Sequence, residues 1–374
     1  RNYCLIGCVE PAGCGDHWSM CGASGFEGYW NMANCFLQAI NNGHNPFPTE
    51  DGAHLRQTGL PTGYLYEMDS FEDVLEAVRK QMKFFVDWQV SMANLQEYIT
   101  AQQLPLPLVS ATMDGCMDSG RDVMSGGAKY NSTGFPGIAI GNLVDCLAVT
   151  KYMVFDKKLC TARELYDALT ANWEGYEELR QTIQNEAPRY GNADDYCDRY
   201  LTWIGDTFAE FVNTATGPRG PFSAGLFPVA FNVTYGLVTA ATPDGRKLGE
   251  PLSDGISPVQ QMDKNGPIAV LNSVSRLNQS KYPNGTLLNM KFHPTALNTE
   301  GSKLKLRALM QTYFEMGGAE LQINVVSSEI LRSAQAEPEK HKNLVVRVAG
   351  FSAYFTELHV GSQNDLISRT ELAL

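Results

Sequence analysis

The sequence predicts an α/β fold with a largely parallel sheet. Short apolar segments of strand character alternate with longer segments of helical periodicity along most of the chain. The 374 residues, 44% of them hydrophobic, are enough for a large core or for more than one domain. An open doubly wound sheet and a barrel both fit this alternation. No G-x-G-x-x-G follows a predicted strand and no Walker A lysine is present, so nucleotide binding has no support.

Helical periodicity is clearest where capping residues frame it. Ser70 is the expected N-cap of a long helix, with Asp73 in its first turn. Thr161 precedes Glu164 by three residues, which is the spacing of a capping box. The predicted helices cover residues 31–43, 70–99, 161–173, 300–316 and 360–370, and another follows a loop within 134–155.

Strand character marks the segments between these helices. Buried strands are predicted within 106–116, 225–236, 285–294, 319–327 and 345–355. Residues 1–30 are expected to be a loop rich in Gly, Cys and aromatic residues. The segment 241–258 is dense in turn residues, which favours a surface loop, although long ordered loops in compact domains are often functional.

The net charge and the N-terminal sequence limit which partners and cellular locations are expected. The net charge is −12 and no segment carries a Lys/Arg cluster, which argues against nucleic acid and anionic membranes as partners. No apolar run is long enough to cross a membrane, and the start does not resemble a signal peptide. A cytoplasmic protein is expected. Because the chain begins with Arg1 and not with Met, a truncated or processed N-terminus is also expected.

Nine cysteines are present, and five of them fall within the first 35 residues. An odd count at irregular spacing makes a poor disulfide framework, and the spacings lack the paired C-x-x-C of a zinc site. Reduced thiols in a reducing compartment, without a bound metal, are therefore predicted, and a metal cluster is the alternative that the spacing leaves open. The positions are 4, 8, 14, 21, 35, 116, 146, 160 and 197.

Three local features are candidates for chemistry. Cys8 and Glu10 lie two residues apart in "GCVEP", so in an extended loop a thiol and a carboxylate would face one pocket; a buried structural Cys beside a surface Glu is the alternative. Asp114 ends a predicted strand, where side chains commonly reach a ligand pocket, or it caps an Asp-Gly turn. Gly350 interrupts the strand "VVRVAGFSAYF", which indicates a bulge or a close backbone approach.

Taken together and in order, several segments resemble the signatures of the glycyl radical enzymes, the pyruvate formate-lyase-like superfamily. The segments are "GCVEP", "GGAKYNSTG", "PDGRKLGEPLSDGISP", "NGTLLNMKFHP", "VVRVAGFSAYFTEL" and "QNDLISRTE". The resemblance implies the C-terminal half of a ten-stranded α/β barrel, with a Cys8 loop and a Gly350 loop meeting at its centre. Residues 1–240 would form the barrel half and residues 241–374 the glycine-radical domain.

The resemblance also implies roles for individual residues. A radical stored on Gly350 would pass to Cys8, whose thiyl would abstract hydrogen from a small organic substrate; a Cβ would crowd the planar radical centre, so only glycine suits it. Glu10 would act as acid/base, as in the eliminating and decarboxylating branches. The expected substrate-binding residues are His17, Asp114, Phe135, Ile138 and Phe231. The last three have core packing as the alternative, which is favoured for Ile138.

The implied activity is that of an oxygen-sensitive lyase that cleaves a C–C bond by decarboxylation or a C–O or C–N bond by elimination. The implied partners are a radical S-adenosylmethionine activase with a [4Fe-4S] cluster and a second copy of the full-length chain, in the cytoplasm or a bacterial microcompartment. No cofactor would be bound. Two alternatives stay open: radical addition to fumarate, which Phe351 favours and Glu10 disfavours, and a non-catalytic fragment, which Cys8 disfavours.

Overall fold

The computed structural model describes residues 3–20, 28–48 and 57–373 of a mixed α/β chain. Cys21 and Arg1, which bear on the cysteine and N-terminus predictions, lie outside the described residues. The strands are β1 (Tyr3–Ile6), β2 (Glu10–Gly13), β3 (His17–Met20), β4 (Trp30–Asn31), β5 (Tyr130–Ile138), β6 (Phe222–Leu226), β7 (Leu288–Phe292), β8 (Leu321–Val325), β9 (Val345–Arg347), β10 (Ser352–Tyr354) and β11 (Glu371–Leu372). The helices are α1 (Met32–Ala39), α2 (Phe71–Gln103), α3 (Pro107–Ser110), α4 (Cys116–Ser119), α5 (Ile140–Thr150), α6 (Ala162–Thr170), α7 (Glu177–Glu186), α8 (Asp195–Asn213), α9 (Phe231–Leu237), α10 (Gly266–Val274), α11 (Glu300–Glu315), α12 (Ser328–Ala336) and α13 (Val360–Ser368).

Two parallel sheets form the framework, which confirms the predicted fold class. In the first, β5 is central, with β3 and β4 on one side and β6 on the other. In the second, β7 lies between β11 and β8. A parallel bridge between Leu226 and Thr286 joins the end of β6 to the residues before β7. The helical connections that parallel strands require pack against these sheets.

The main core lies between the first sheet and helices α1, α2, α5 and α8. Phe36, Leu143 and Phe208 are fully buried there, and each such side chain contributes about 1.5–3 kcal/mol. The predicted long helix is confirmed as α2, with Ser70 at its N-cap and a capping box to Asp73. None of the helices within the described ranges is long and apolar enough to span a membrane.

Two antiparallel hairpins stand apart from the parallel sheets. One is formed by β1 and β2 near the start of the chain, and the other by β9 and β10 near its end. The predicted single strand over 345–355 is therefore two short strands with Gly350 in the turn between them. The interpretation of residues 1–30 as a loop is also wrong, because β1, β2 and β3 lie within them.

Three other predicted segments differ from the structure. The expected strand at 106–116 is helical, because Pro107 occupies the first position of α3 and Leu108 is 81% exposed. The expected loop at 134–138 is the buried end of β5, where a Cβ on Gly137 would collide with the Met32 side chain. The strand expected over 225–236 ends at Leu226, and Phe231 begins α9.

The turn-rich segment 241–258 contains neither helix nor strand, as predicted, but it is largely buried and not a surface loop. Side chains provide hydrogen-bond partners for backbone groups in and beside this segment. The Arg246 guanidinium donates to the carbonyls of Thr239, Ala240, Lys247 and Glu250. Buried loops need such partners for their backbone groups. The segment is thus part of the buried interior.

Candidate active site

Cys8 and Gly350 meet where the turns of the two hairpins touch. Cys8 lies in the turn between β1 and β2, and the Gly350 turn is closed by a 2.9 Å hydrogen bond from the Val348 N–H to the Phe351 carbonyl. A Cβ added to Gly350 would overlap Cβ of Cys8 and lie 2.9 Å from its sulfur. Gly350 also has φ of +85°, a conformation that favours glycine. The Cys8 side chain, including its sulfur, therefore packs closely against Gly350.

An apolar cluster surrounds this contact. Val9 and Ala349, the neighbours of Cys8 and Gly350, are buried together with Phe227 and Leu287. The cysteine turn is also held from behind, because a Cβ on Gly285 would collide with the Val9 carbonyl. The backbone of Gly285 therefore packs closely against the cysteine turn.

Glu10 is part of the cysteine turn itself. Its Oε2 accepts hydrogen bonds from the backbone N–H groups of Cys8 and Val9, both at 2.7 Å, and the residue is 1% exposed. The prediction of an extended loop with both side chains on one side is therefore wrong for the backbone, since Cys8 sits in a tight turn. The carboxylate folds back over that turn and still lies close to the thiol.

Burial and nearby charges keep the Cys8 thiol protonated. Half-burial is the largest cause of a pKa raised to about 11, and the carboxylates of Glu10 and Glu320 raise it further. Arg347 lowers the pKa but does not offset these effects. Burial also raises the pKa of Glu320, with Glu10 adding to the effect. The site suits a thiol and not a nucleophilic thiolate.

Side chains of β8 hold the glycine hairpin. Gln322 Oε1 accepts the Gly350 N–H at 2.9 Å. Asn324 binds the Arg347 backbone twice, donating to its carbonyl at 2.6 Å and accepting from its N–H at 2.8 Å. The hairpin is thereby fixed at two points along one strand.

A buried ionic group fixes the hairpin from the other side. The Arg369 guanidinium donates to the Val348 carbonyl at 2.8 Å and to Asp365 at 2.9 Å, and it lies 3.6 Å from Asp254. Asp254 in turn accepts a hydrogen bond from the Asn289 side chain. Four of the quoted sequence signatures contribute to this group, so their order in the sequence reflects one assembly in space.

The predicted substrate residues lie in different surroundings. His17, in β3, is half-buried with Nε2 2.9 Å from the Ser132 hydroxyl, and burial lowers its pKa. Phe135 is fully buried with its ring edge-on to Phe208 in the helix-facing core. Ile138 is buried in a separate small apolar cluster that includes Leu252.

Phe231 lies near the cysteine loop, whereas Asp114 lies in an exposed turn. The Phe231 ring stacks on Tyr29 at 4.4 Å, and Tyr29 packs against the apolar cluster that contains Val9. Asp114 is exposed in a turn between α3 and α4, with its backbone paired to Gly15 and Lys129, so it does not end a strand. Phe231 therefore borders the cysteine loop, whereas Asp114 belongs to an exposed turn.

Sequence reasoning missed Gln322, Asn324 and Arg369. The signal was present in "AELQINVVS", where polar residues alternate with apolar ones in a predicted strand. The eight described cysteines form no disulfide, and the described residues contain no group of three or more His, Cys, Asp and Glu arranged to hold a metal.

Two protein-family models match the chain. Residues 1–236 match the model of the pyruvate formate lyase-like family, and residues 252–356 match the glycine radical model. The chain therefore belongs to the glycyl radical enzymes of the pyruvate formate lyase-like family. Membership implies a glycine radical that is introduced after synthesis.

Individual relatives are similar along the whole chain. The trans-4-hydroxy-L-proline dehydratase of Clostridioides difficile is 36% identical over 98% of this chain and 45% of its own length. The (2S)-3-sulfopropanediol dehydratase of Klebsiella oxytoca is 36% identical over 100% of this chain and 45% of its own. The glycerol-bound B12-independent glycerol dehydratase from Clostridium butyricum superimposes with a TM-score of 0.93 at 38% identity, over 100% of this chain and 46% of that one. The chain thus spans a little under half the length of these proteins.

The contact between the turns predicts a stability difference between two glycine variants. Gly317→Ala has a similar φ of +92° and open space around the new Cβ, so it should cost about 1–2 kcal/mol for the backbone conformation alone. Gly350→Ala should cost about 1–3 kcal/mol more, because its Cβ collides with Cys8. Denaturant unfolding of both variants measures the difference. A Cys8→Gly background removes Cβ and the sulfur of Cys8 but leaves its α-carbon 2.8 Å from the new Cβ, so the extra cost should become smaller there, and an undiminished extra cost would contradict the contact.

The raised pKa predicts slow alkylation of Cys8. With a pKa of about 11, the thiolate fraction rises about tenfold per pH unit from about pH 7 to pH 9.5 without a plateau. Iodoacetamide labelling of Cys8, followed by peptide mass spectrometry, should show that dependence in its rate. The Cys8→Ser variant identifies the peptide. A plateau below about pH 9.5 would show that the carboxylates and burial do not control this thiol.

Proposed function

We propose that the protein is a glycyl radical lyase in which Gly350 stores the radical and Cys8 transfers the hydrogen atom. The observation that carries the proposal is the close packing of the Cys8 side chain against Gly350, which leaves no room for a Cβ on that residue. The S–H hydrogen atom of Cys8 moves to the Gly350 α-carbon, which leaves a thiyl radical. The thiyl then takes a hydrogen atom from the substrate, and the steps reverse once the product radical has formed.

The surroundings of Cys8 support this role. Hydrogen-atom transfer needs the S–H bond intact, and the raised pKa of the Cys8 thiol keeps it so at neutral pH. Val9, Ala349, Phe227 and Leu287 form an apolar cluster beside the contact, which would limit the access of water and oxygen to it. A nucleophilic cysteine would need a depressed pKa in the same position.

Cleavage of a C–O bond by elimination is the reaction that the relatives favour. The three proteins named above are dehydratases, and each named substrate carries a hydroxyl group. We propose a small hydroxylated organic substrate, with Glu10 as the acid/base group beside Cys8 and Phe231 with Tyr29 on the wall of the pocket. Decarboxylation uses the same two residues and is the second candidate. The relatives give no support to addition to fumarate.

The radical has to be introduced by another protein. We propose a radical S-adenosylmethionine activase with a [4Fe-4S] cluster as that partner, and a homodimer as the assembly of the active enzyme. The chain itself would bind no cofactor. Cytoplasmic or microcompartment location is part of the same proposal.

Anaerobic activation provides the direct test. The protein treated with its activase should give a glycyl radical doublet in the EPR spectrum, and Gly350→Ala should give none. Cys8→Ser should keep the doublet and lose turnover, because an alcohol O–H is too strong to exchange its hydrogen atom with the glycine.

Exposure to oxygen supplies the control for the position of the radical. Activated protein should be cut at Gly350, whereas Gly350→Ala should stay intact by mass spectrometry. Cleavage elsewhere, or turnover in Cys8→Ser, would overturn the assignment of these two residues.

The role of Glu10 has its own test. Glu10→Gln keeps an acceptor for the Cys8 and Val9 N–H groups and removes the titratable group. The EPR doublet should persist while kcat falls about 10²-fold or more, the usual contribution of general acid/base catalysis. Product analysis at the same time separates an aldehyde or imine from carbon dioxide. Unchanged kcat would exclude Glu10 as the acid/base group.

A further inference from the structure

The strand β8 turns its polar side chains towards the glycine hairpin. Gln322 and Asn324 are 6% and 8% exposed, whereas the intervening Ile323 is only partly buried. Residues two apart in a strand share a face. This face therefore carries amides into the interior, where each polar atom needs a partner.

Both the oxygen and the nitrogen of the Gln322 side-chain amide form hydrogen bonds. Its Oε1 accepts the Gly350 N–H at 2.9 Å, and its Nε2 donates to Glu320 Oε1 at 2.7 Å. The hydrogen bonds fix which atom of the amide is the acceptor, because a carboxylate cannot donate when ionised. A continuous chain of hydrogen bonds runs from Glu320 through Gln322 to the backbone of Gly350.

Side chains replace strand pairing at this junction. The hairpin of β9 and β10 forms a separate two-stranded sheet and has no ladder to β8 in the described residues. Its attachment to β8 is made by Gln322 and by the two bonds of Asn324 to Arg347. Of these, the Gln322 bond is the one made to Gly350 itself.

We infer that Gln322, oriented by Glu320, is a positioning residue that holds the Gly350 N–H and so aims the Gly350 α-carbon at the Cys8 sulfur. The inference rests on the proposed function, because it assigns the bond a role in hydrogen-atom transfer. The peptide plane that contains this N–H is attached to the α-carbon, so fixing the N–H limits rotation about φ. A rotation there would turn the α-carbon hydrogen away from Cys8.

Glu320 links the same chain to the cysteine. Its charge acts on Cys8, Arg347 and Glu10, which places it where the two turns meet. Its second oxygen, Oε2, is buried without a hydrogen-bond partner among the described residues. The carboxyl is thus held chiefly through its bond to Gln322, whereas Gln322 is held by both Glu320 and the Gly350 N–H.

Three variants distinguish the effect of the hydrogen bond between Gln322 and the Gly350 N–H from the effect of packing in the site. Gln322→Leu removes the acceptor, and Gln322→Glu sets two carboxyl groups against each other. The double variant Glu320→Gln with Gln322→Glu exchanges the two groups, so that an amide again donates to a carboxylate that accepts the Gly350 N–H. Hydrogen–deuterium exchange on overlapping peptides that isolate the Gly350 amide reports the bond without any radical.

Exchange of the Gly350 amide should become about fivefold faster in Gln322→Leu, the factor of one net hydrogen bond, and return towards the wild-type rate in the double variant. In the activated enzyme, Gln322→Leu should keep the doublet, with an altered hyperfine splitting, and lose about tenfold or more in kcat at unchanged KM. Gln363→Leu is the matched control, since Gln363 is a buried glutamine that binds the carbonyls of Phe355 and Leu358. That control should leave both the Gly350 exchange rate and the splitting unchanged.

An unchanged Gly350 exchange rate in Gln322→Leu, or an unchanged kcat despite faster exchange, would overturn the inference. Equal effects in Gln363→Leu would also overturn it, because they would reflect a general loosening of the hairpin. A wild-type protein without a doublet after activation would overturn the proposed function, and this inference with it. A wild-type doublet combined with unaffected Gln322 variants would overturn the inference alone.

Discussion

The contact between Cys8 and the Gly350 α-carbon is the constraint on which the rest of the structure depends. The two residues come from turns separated by more than three hundred positions in the chain, and no side chain fits between them. Each turn belongs to a short two-stranded hairpin, which is marginally stable by itself. A displacement of about 1 Å in such a reacting pair costs about a hundredfold in rate. The surrounding chain therefore has to stabilise both hairpins and also fix Cys8 and Gly350 relative to each other.

Hydrogen bonds from polar side chains hold the two turns in place. Glu10 closes the cysteine turn by binding its N–H groups, and Gln322 and Asn324 bind the backbone of the glycine hairpin. Arg369 reaches the same hairpin from the other side. A buried ionic group contributes little net stability compared with apolar packing, but the loss of one partner costs about 3–5 kcal/mol. Such groups tolerate few alternative arrangements, which is what a fixed contact requires.

Sequence signals from neighbouring residues predicted the structural features that those residues determine, such as helix caps. Ser70 and Thr161 cap helices as expected, because capping is decided within four residues. The buried β5 was missed because Gly134, Pro136 and Gly137 have low strand propensity, and the need for small residues comes from distant side chains such as Met32. Cys8 and Gly350 were identified through ordered signatures and not through spacing. The bond from Gln322 to Gly350 joins residues on different elements, so no local pattern contains it.

The electrostatics of the site follow from the same arrangement and explain why a cysteine here differs from a nucleophile. Half-burial and two carboxylates raise the pKa of Cys8, and the positive charge of Arg347 lowers it without offsetting them. A nucleophilic site would reverse this balance to favour the thiolate. Hydrogen-atom transfer moves no net charge, so the carboxylates do not oppose it, while they do oppose loss of the proton. The carboxylates that hold the turns in place therefore also preserve the S–H bond on which the proposed chemistry relies.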